Sequence, residues 1–334
     1  MKSVLVTGGG GFIGRHIVMK LLAKGYPVTV LGRRHYPDLA SQGVRCLLGD
    51  LQDGMAVKQA ADGCQAIIHT AGLAGLGLRP QPFYLANVLG TRHVLQAARE
   101  LGISRLVYTS TPSVVYDAAG IEGGDESLPY SRAFLSPYAA SKAEAEQMVI
   151  ASNSPTLLTS AIRPHLVFGP GDNHLIPGIF ERAKTGRLRQ IGNGSNLVSV
   201  SYVEDVAESH LLALESLGGN RKAAGQVYFI NQPEPVNCWD FINSLLIKEG
   251  LPRVSRHLAY SLALPAGWLV ENTYRLLGRR TDPPLTRFLV SQLATSHWFK
   301  TSKAERDLGW RPRVGLAAGL ERLFAARRKA AGAG

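Results

Sequence analysis

The sequence predicts an α/β protein with a doubly wound parallel sheet and a smaller, mainly helical second domain. Short apolar segments rich in Val and Ile alternate with helical segments through the first half of the chain, as in sheets whose parallel strands are joined by helices. The first of these segments, residues 4–6, leads directly into a run of four glycines and then a helical pattern. With 334 residues, the chain is long enough to bury a large core.

The glycine-rich turn follows the pattern Gly8-x-x-Gly11-x-x-Gly14 between the first strand and the first helix. A helix N-terminus offers unpaired N–H groups and the positive end of the helix dipole to a phosphate. Gly8 permits a tight turn, Gly11 permits close approach of a pyrophosphate, and Gly14 permits close packing of helix and strand. This arrangement predicts a Rossmann-type dinucleotide site, and the alternative is an ordinary glycine-rich loop.

A second predicted strand, residues 27–31, ends in Gly32-Arg33-Arg34. An acidic residue about 20 residues past the glycines usually binds the free ribose 2′-hydroxyl of NAD. Two arginines at this point suit the 2′-phosphate of NADP instead, through charged bidentate hydrogen bonds. Arg33 and Arg34 therefore predict NADP(H) as the cofactor, and the alternative is a solvated basic loop.

The pattern then predicts strands at residues 43–48, 65–69 and 105–109 and a helix at 83–101. Ala71 and Gly72, which follow the fourth strand, are small enough to let a cofactor approach closely. In open parallel sheets, ligands bind beyond the carboxyl ends of the strands. We therefore expect the chemistry at that edge of the sheet.

The fifth strand ends in a cluster of hydroxyl groups that includes Thr111 and Ser113. After a loop, a serine N-cap and a proline begin a helix that places Tyr138 and Lys142 four residues apart on one face. A tyrosine has a pKa near 10 and needs a nearby cation to act as an acid or base at neutral pH. We interpret the two side chains as a catalytic pair, and the alternative is an ordinary surface helix.

Composition and charge exclude several classes of function. The net charge of +12 and the pI of about 9.8 favour anionic partners, but Lys and Arg are scattered without a basic run, so nucleic acid is not expected. Cys46, Cys64 and Cys238 are far apart, which favours a reducing compartment over disulfides or a metal site. Met1-Lys2 leads into the first strand without a signal peptide, and no segment reaches the ~20 apolar residues of a membrane span. We expect a cytoplasmic protein that acts on a small molecule.

In the second half, the pattern predicts a helix at 175–185, a hairpin at 187–201 that turns at Asn193-Gly194, a helix at 203–217, an edge strand at 226–230 and a helix at 241–249. We expect residues 1–163 to form the NADP-binding domain, with residues 203–231 returning to it. Residues 164–202 and 232–334 then form the substrate domain. Arg163 is expected to be structural, and a lone histidine such as His297 is more often structural than chemical.

A further helix is predicted at residues 258–277, which are rich in Leu and also contain Trp. It can be a core or dimer-face helix, or it can line an acyl chain. Glu271 and Arg275 argue against a membrane span. A peripheral membrane contact, with the apolar face down and Arg279 and Arg280 at the surface, stays open.

Taken together, these motifs resemble the extended short-chain dehydrogenase/reductase family, and within it the 3β-hydroxysteroid dehydrogenase branch. The resemblance covers essentially the whole chain. Beyond the motifs above, it is carried by Asp50-Leu51, by Asn87-x-x-Gly90-Thr91, by the strand and loop at 163–172, by the helix start at 202–207 and by the tail at 304–312.

The resemblance implies a role for each matching catalytic residue. Tyr138 is the proton donor, and Lys142 binds the nicotinamide ribose and lowers the pKa of the tyrosine. Thr111 positions the substrate oxygen, with Ser113 as the alternative. Asn87 steadies the helix near the active site.

The resemblance also implies four pairs of cofactor contacts along the dinucleotide: Phe12 and Ile13 at the pyrophosphate, Asp50 and Leu51 at the adenine, Ala71 and Gly72 at the adjoining ribose, and Pro164 and Val167 at the nicotinamide. One departure from the family is the long loop at 117–133, whose relation to the substrate is open.

Segments at 109–114, 171–174 and 284–298 resemble most closely a bacterial group of this branch that acts in long-chain olefin biosynthesis. That group uses NADPH to reduce a 2-alkyl-3-oxoalkanoic acid to the 2-alkyl-3-hydroxy acid. The resemblance thus implies a lipid-like substrate and either a homodimer or association with enzymes of the same pathway.

Three alternatives to this function stay open: a 3β-hydroxysteroid or sterol dehydrogenase, a nucleotide-sugar epimerase or dehydratase, and a non-catalytic NADP sensor. The intact pair of Tyr138 and Lys142 weighs against the sensor. The apolar second half weighs against a sugar nucleotide, which needs several polar contacts.

Overall fold

The computed structural model describes residues 3–332, so Met1 and Lys2, which the sequence places directly before the first strand, lie outside the described residues. Within that range the strands are, in chain order, β1 (Ser3–Thr7), β2 (Val28–Gly32), β3 (Arg45–Leu48), β4 (Cys64–His69), β5 (Arg105–Thr109), β6 (Ile121–Gly124), β7 (Leu158–Pro164), β8 (Val167–Phe168), β9 (Gln190–Ile191), β10 (Leu197–Val198), β11 (Ser201–Tyr202), β12 (Gln226–Ile230), β13 (Val236–Asn237), β14 (His257–Leu258) and β15 (His297–Phe299).

The helices of the same range are α1 (Phe12–Ala23), α2 (Pro37–Ala40), α3 (Gly54–Ala61), α4 (Pro80–Phe83), α5 (Gly90–Glu100), α6 (Pro137–Ala151), α7 (Leu175–Lys184), α8 (Val203–Gly218), α9 (Cys238–Lys248), α10 (Tyr260–Leu276), α11 (Arg287–Ala294), α12 (Ser302–Leu308) and α13 (Leu316–Gly332). None of them is long and apolar enough to cross a membrane. No group of three His, Cys, Asp or Glu side chains among residues 3–332 could hold a metal ion.

Seven strands form one parallel sheet in the order β12-β7-β5-β4-β1-β2-β3, which confirms the predicted doubly wound architecture. Strand β1 lies at the point of reversal, with Val6 aligned with Val30 of β2 on one side and with Ile68 of β4 on the other. The chain runs outward from β1 to β3 and then crosses back to β4. The crevice between β1 and β4 is therefore the topological switch point, where such sheets bind ligands.

Alternate residues of each strand enter cores on opposite faces of this sheet. Val4 and Val6 pack with Ile17 of α1 and Leu211 of α8, whereas Leu5 packs on the other face with residues of α3, α5 and α6. Because helices cover both faces, the strands are apolar throughout rather than alternately polar. This explains why short apolar runs located them correctly.

The predicted helix at 83–101 begins earlier and is not uniform. It starts as α4, continues through a π-helical turn at Tyr84–Leu89 and ends as α5. Asn87 lies in the π turn and is buried there. Such turns widen a helix locally and are frequent at functional sites.

The predicted hairpin at 187–201 is wrong. Strand β9 pairs in parallel with β14, and β10 pairs with β13 and β15, so the two strands join different sheets. The turn itself is present, since Gly194 has a φ of +79°. However, the amide of Asn237 donates to the Gly194 carbonyl at 2.7 Å. A local turn signal cannot reveal such distant partners.

Asp205, in the first turn of α8, ties the C-terminal tail to the sheet. Its carboxylate accepts the backbone N–H groups of Arg313 and Val314 at 3.0 and 3.3 Å. Its carbonyl accepts the indole N–H of Trp310 at 2.9 Å, and the Trp310 side chain is buried. The two motifs that the sequence placed far apart, at 202–207 and 304–312, are thus one structural unit.

A buried ion pair joins α6 to β7. Arg163 donates through Nε to Glu146 Oε2 at 2.9 Å and through Nη2 to Oε1, and the Tyr130 hydroxyl also donates to Oε1, at 2.7 Å. The guanidinium lies against the rings of Tyr130 and Phe229. The prediction that Arg163 is structural is confirmed.

We expect the substitution Arg163→Met to lower the free energy of unfolding by about 3–5 kcal/mol, because it leaves the Glu146 carboxylate buried without its counter-ion. The double variant Glu146→Leu/Arg163→Met should recover most of that loss. Urea denaturation of the three proteins measures both values.

The matched control is Glu100→Gln, which breaks the exposed Lys58–Glu100 pair of 2.7 Å. It should leave the free energy of unfolding nearly unchanged, since solvent screens that pair. Equal losses for the single and double variants at Arg163 would contradict our account of the buried pair.

Candidate active site

The glycine turn after β1 has the tight geometry that the sequence predicted. Gly8 has a φ of +70°, and a Cβ there would lie 2.8 Å from the backbone of Ala71, at the end of β4. The Gly11 N–H donates to the Gly8 carbonyl at 2.8 Å and closes the turn. Helix α1 then begins at Phe12 without a capping side chain, so the N–H groups of Phe12, Ile13 and Gly14 are suited to phosphate oxygens.

Arg33 and Arg34 lie exposed just beyond β2. Neither has a hydrogen-bond or ion-pair partner within residues 3–332, whereas the nearby Arg15 pairs with Asp38. Two free cations thus stand at the strand end where the sequence predicted a 2′-phosphate contact.

Tyr36 is a feature of this region that sequence reasoning missed. A Cβ on Gly32 would lie 2.6 Å from its hydroxyl, and the ring also fills the space above Gly10. The tyrosine thereby packs the segment after β2 against the glycine turn. No sequence motif signalled this contact.

The residues predicted to border the adenine and the ribose lie at neighbouring strand ends. Asp50 follows β3 and accepts the Gln52 N–H at 3.0 Å, and the Leu51 side chain packs against Gly90 of α5. Ala71 and Gly72 follow β4, directly beside Gly8.

The residues predicted to border the nicotinamide lie at the end of β7 and the start of β8. Pro164 ends β7 and is buried, and Val167 begins β8. Leu166 between them has a φ of +41°, a conformation that costs a non-glycine residue free energy. Such strain concentrates where a backbone must follow the shape of a ligand site.

A chain of buried hydrogen bonds connects β1, β4 and the helix across the switch point. Thr7 Oγ1 contacts His69 Nδ1 at 2.7 Å, His69 Nε2 contacts Thr91 Oγ1 at 3.0 Å, and Thr91 donates to the Asn87 carbonyl at 2.5 Å. Because the Thr91 hydroxyl donates its one proton to the Asn87 carbonyl, it must accept a hydrogen bond from His69 Nε2–H. His69 Nδ1 is then unprotonated and accepts a hydrogen bond from the Thr7 hydroxyl. Burial lowers the pKa of His69 to about 3, so the ring stays neutral.

Asn87 extends this network to α6, the helix that carries Tyr138 and Lys142. Its side chain clamps the backbone of Leu73, with distances of 2.7 and 3.0 Å, and donates to Ser141 Oγ at 2.9 Å. Ser141 in turn donates to the Tyr138 carbonyl at 2.8 Å. His69 and Ser141 were not predicted as site residues, although Ser141 lies only three residues after Tyr138.

Tyr138 and Thr111 meet at the end of β5. Burial raises the pKa of Tyr138, and a hydrogen bond with Thr111 partly opposes that rise. Thr111 also donates to Ser113 Oγ at 3.2 Å. Of the two candidate hydroxyls, Thr111 is the one that influences the pKa of Tyr138.

Lys142 lies one helical turn beyond Tyr138 and is buried. Its ammonium donates to the Thr109 carbonyl at 2.6 Å and sits 4.0 Å from the centre of the Tyr108 ring. Burial lowers the pKa of Lys142 to about 7, and the carboxylate of Glu146 acts in the opposite direction. The lysine therefore titrates near neutral pH.

The long loop at 117–133 is anchored rather than free. It contributes β6, which pairs with β15, and Glu126 accepts the Phe229 N–H of the edge strand β12 at 2.9 Å. Tyr130 reaches Glu146 on the catalytic helix, as described above. The loop thus braces the sheet edge next to α6.

His297 lies on β15 beside the same region and is bonded to His165, with 2.6 Å between His297 Nδ1 and His165 Nε2. His297 Nε2 contacts the Gln292 carbonyl at 2.7 Å, so both nitrogens of the His297 ring have partners. Burial lowers the pKa of His297 to about 4. The pair is neutral and structural.

The residues present fit a dinucleotide laid across the switch point. A glycine turn that a Cβ would fill, an uncapped helix N-terminus and two unpaired arginines follow one another along the carboxyl edge of the sheet. A tyrosine, a hydroxyl and a lysine stand at the far end of that line. This arrangement can hold a dinucleotide and deliver a proton beside it.

Comparison with known proteins agrees with this geometry. Residues 5–261 match the model of the 3-beta hydroxysteroid dehydrogenase/isomerase family. The chain is 44% identical, over 96% of its length and 98% of the relative, to 2-alkyl-3-oxoalkanoate reductase of Stenotrophomonas maltophilia, and 39% identical to the protein of that name from Shewanella oneidensis, covering 97% and 86%.

More distant similarity reaches a human protein and a solved structure. The chain is 33% identical to human sterol-4-alpha-carboxylate 3-dehydrogenase, decarboxylating, over 96% of this chain and 87% of the relative. The dTDP-glucose 4,6-dehydratase of Streptomyces venezuelae, solved with NAD bound, superposes with a TM-score of 0.77 at 28% identity, covering 99% and 98% of the two chains. The chain belongs to the 3β-hydroxysteroid dehydrogenase/isomerase family.

Proposed function

We propose that this chain is an NADPH-dependent reductase that converts a long-chain 2-alkyl-3-oxoalkanoic acid to the 2-alkyl-3-hydroxy acid. Its family makes it an oxidoreductase that acts on CH–OH and C=O groups. The observation that carries the finer proposal is the 44% identity, over 96% of the chain, with a 2-alkyl-3-oxoalkanoate reductase. The chemistry of Tyr138, Thr111 and Lys142 suits that reaction.

In the proposed reaction, Tyr138 donates a proton to the ketone oxygen. Burial raises its pKa, so the phenol remains protonated at neutral pH, which is the form a reductase needs. Thr111 influences the pKa of the phenol and can orient the substrate oxygen. The bound nicotinamide supplies the hydride.

Lys142 supports this step through its charge. Its pKa of about 7 places its titration near neutral pH, and in the charged form its ammonium would stabilise the phenolate left after proton transfer. The Glu146 carboxylate favours the charged form. Raising the pH through this range therefore weakens the support, although Tyr138 still carries its proton.

Arg33 and Arg34 support NADPH over NADH. Both are exposed, and neither has a partner within residues 3–332, so neither has to break an ion pair to reach a 2′-phosphate. Family membership implies a nicotinamide cofactor but admits either form, since the similar dehydratase was solved with NAD. The two arginines are the feature of this chain that favours NADPH.

A sterol carboxylate is the second candidate substrate, because the chain is 33% identical to human sterol-4-alpha-carboxylate 3-dehydrogenase. The two named substrates share one element: each carries a carboxylate on the carbon next to the reacting one. A site for such acids leaves buried polar groups unpaired when a simple ketone binds. The dependence of kcat/KM on the length of the acyl chain then distinguishes the two candidate substrates.

We also place the protein in the cytoplasm. Cys46, Cys64 and Cys238 are all free thiols, as expected in a reducing compartment. Burial raises the pKa of the Cys64 and Cys238 thiols, which keeps them unreactive.

The substitution Tyr138→Phe should reduce kcat by at least the ~100-fold typical of a lost general acid, because only the proton donor is removed. NADPH affinity should stay within about twofold. Stopped-flow absorbance of NADPH with a 3-oxo acid measures the first, and fluorescence titration measures the second. The control Tyr84→Phe alters a more exposed tyrosine and should keep full activity. Near-normal turnover by Tyr138→Phe would reject the mechanism.

The double variant Arg33→Ala/Arg34→Ala should reduce the preference for NADPH over NADH at least tenfold, since each charged hydrogen bond contributes about 1.5–3 kcal/mol. The measurement is the ratio of kcat/KM for the two cofactors. Arg328→Ala/Lys329→Ala removes the same charge from the exposed face of α13 and should leave the ratio unchanged. A ratio equally insensitive to both changes, or a protein that binds only NAD, would refute the assignment.

The substrate is tested with 2-alkyl-3-hydroxy acids of increasing chain length, oxidised with NADP⁺. Each buried methylene contributes up to ~0.8 kcal/mol, so kcat/KM should rise by up to about fourfold per methylene until the chain fills its site. A flat dependence would reject a long apolar site. Faster oxidation of a sterol 4-carboxylate than of any chain would transfer the assignment to the second candidate.

A further inference from the structure

We propose that α10 and the segment after it dock on the surface of an anionic lipid membrane. The surface, here called the α10 face, consists of exposed apolar residues followed by arginines. Its apolar members and their exposed fractions are Leu262 (65%), Trp268 (53%), Leu269 (61%), Leu276 (87%) and Leu277 (63%). These are five of the most exposed large apolar side chains of residues 3–332, and they lie within sixteen positions of one another.

Three of these residues form a stripe along the helix, and Trp268 and Leu277 flank it. Leu262, Leu269 and Leu276 recur every seven residues, which places them on one side of a helix. The opposite side is buried through Ala263, Gly267 and Glu271, spaced four apart. Gly267 lies against the backbone of Thr286 and Arg287, where a Cβ would come within 3.1 Å, so the buried side is fixed by close packing. The apolar stripe is therefore permanently turned outward.

The charges around the stripe are positive. Arg275, Arg279 and Arg280 are exposed at its C-terminal end, and Arg256 lies exposed just before the helix. Exposed apolar and aromatic side chains bordered by arginines are the composition of helices that lie in the headgroup region of anionic bilayers.

The acidic residues of the same segment offset this charge only in part. Glu271 is buried and bonded to Arg287, whose Nε donates to Oε2 at 3.0 Å, and it also lies 3.9 Å from Arg275. Asp282 is exposed and accepts the Leu76 N–H at 3.1 Å, so it keeps its negative charge, but Arg256, Arg279 and Arg280 leave the segment with a net positive charge. A second copy of the chain would bring the same cationic surface against this one, so charge complementarity favours an anionic lipid surface over self-association.

The α10 face is linked to the loop that borders the candidate active site. The bond between Asp282 and Leu76 ties the end of α10 to the loop after β4, the loop that carries Ala71, Gly72 and Leu73 beside the glycine turn. The docking proposal stands on exposure and charge, and only this step rests on the proposed function: a long-chain acid could pass from the membrane to Tyr138 along a short path.

The test is flotation of the full chain with vesicles of phosphatidylglycerol and phosphatidylcholine, or of phosphatidylcholine alone, without cofactor or substrate. We expect binding to the anionic vesicles that weakens with added salt. The variant Leu269→Gln/Leu276→Gln removes apolar area without changing charge and should weaken binding at least tenfold. Met19→Gln/Ile247→Gln, which alters exposed apolar residues of α1 and α9, should leave it unchanged.

The arginines are tested with Arg279→Gln/Arg280→Gln, which should weaken binding by about fivefold per residue. Trp268 supplies a readout in the unaltered chain, because Trp239 and Trp310 are buried and Trp298 is only partly exposed, with its indole nitrogen buried. Its fluorescence should shift to the blue on adding anionic vesicles, and Trp268→Phe should abolish most of the shift.

Failure of the unaltered chain to float, or equal binding by the Leu269/Leu276 variant, would overturn the proposal. A dimer in light scattering that the Leu269/Leu276 variant dissociates, with no vesicle binding, would identify the face as a self-association surface and would also overturn it. Because the assay contains no substrate, none of these outcomes bears on the proposed reductase activity, which the Tyr138→Phe and chain-length experiments test separately.

Discussion

The active site depends on the directed chain of buried hydrogen bonds from Thr7 through His69 and Thr91 to Asn87. Polar groups buried between two parallel strands and a helix must all be paired, because each unpaired one costs about 1–3 kcal/mol. With His69 neutral, every link has one direction and no donor is left over. The glycine turn at one end and the catalytic helix at the other are thereby held at a set distance.

The π-helical turn explains how one asparagine serves both ends of that chain. By widening the helix at Tyr84–Leu89, it places the Asn87 side chain where it forms hydrogen bonds with both Leu73 and Ser141. A regular helix directs its side chains at a fixed 100° per residue and would aim position 87 elsewhere. Local irregularity in the backbone is therefore part of the construction of the site.

The electrostatics of α6 balance two opposing effects. Tyr138, Lys142 and Glu146 follow one another at intervals of four, so they share one side of the helix. Burial disfavours the charge of Lys142, whereas Glu146 favours it. The Glu146 carboxylate in turn pairs with Arg163 and accepts a hydrogen bond from the Tyr130 hydroxyl. The long loop at 117–133 supplies Tyr130, so it contributes directly to the surroundings of the Glu146 carboxylate on α6.

The sequence alone determined the parts of this protein that depend on local backbone chemistry. Apolar runs located the strands because both faces of the sheet are covered. The spacing of Gly8, Gly11 and Gly14 identified the turn because a Cβ has no space at Gly8 beside Ala71 or at Gly14 beside the Gly8 carbonyl. Tyr138 and Lys142 were found because a helix brings residues four apart to one face. Tertiary structure decided what depends on distant partners: the separation of β9 from β10, the pairing of Thr7 with His69 and the contact of Tyr36 with Gly32. Those contacts join residues that are independent along the chain, so no local pattern encodes them, and only the packed fold sets which groups meet.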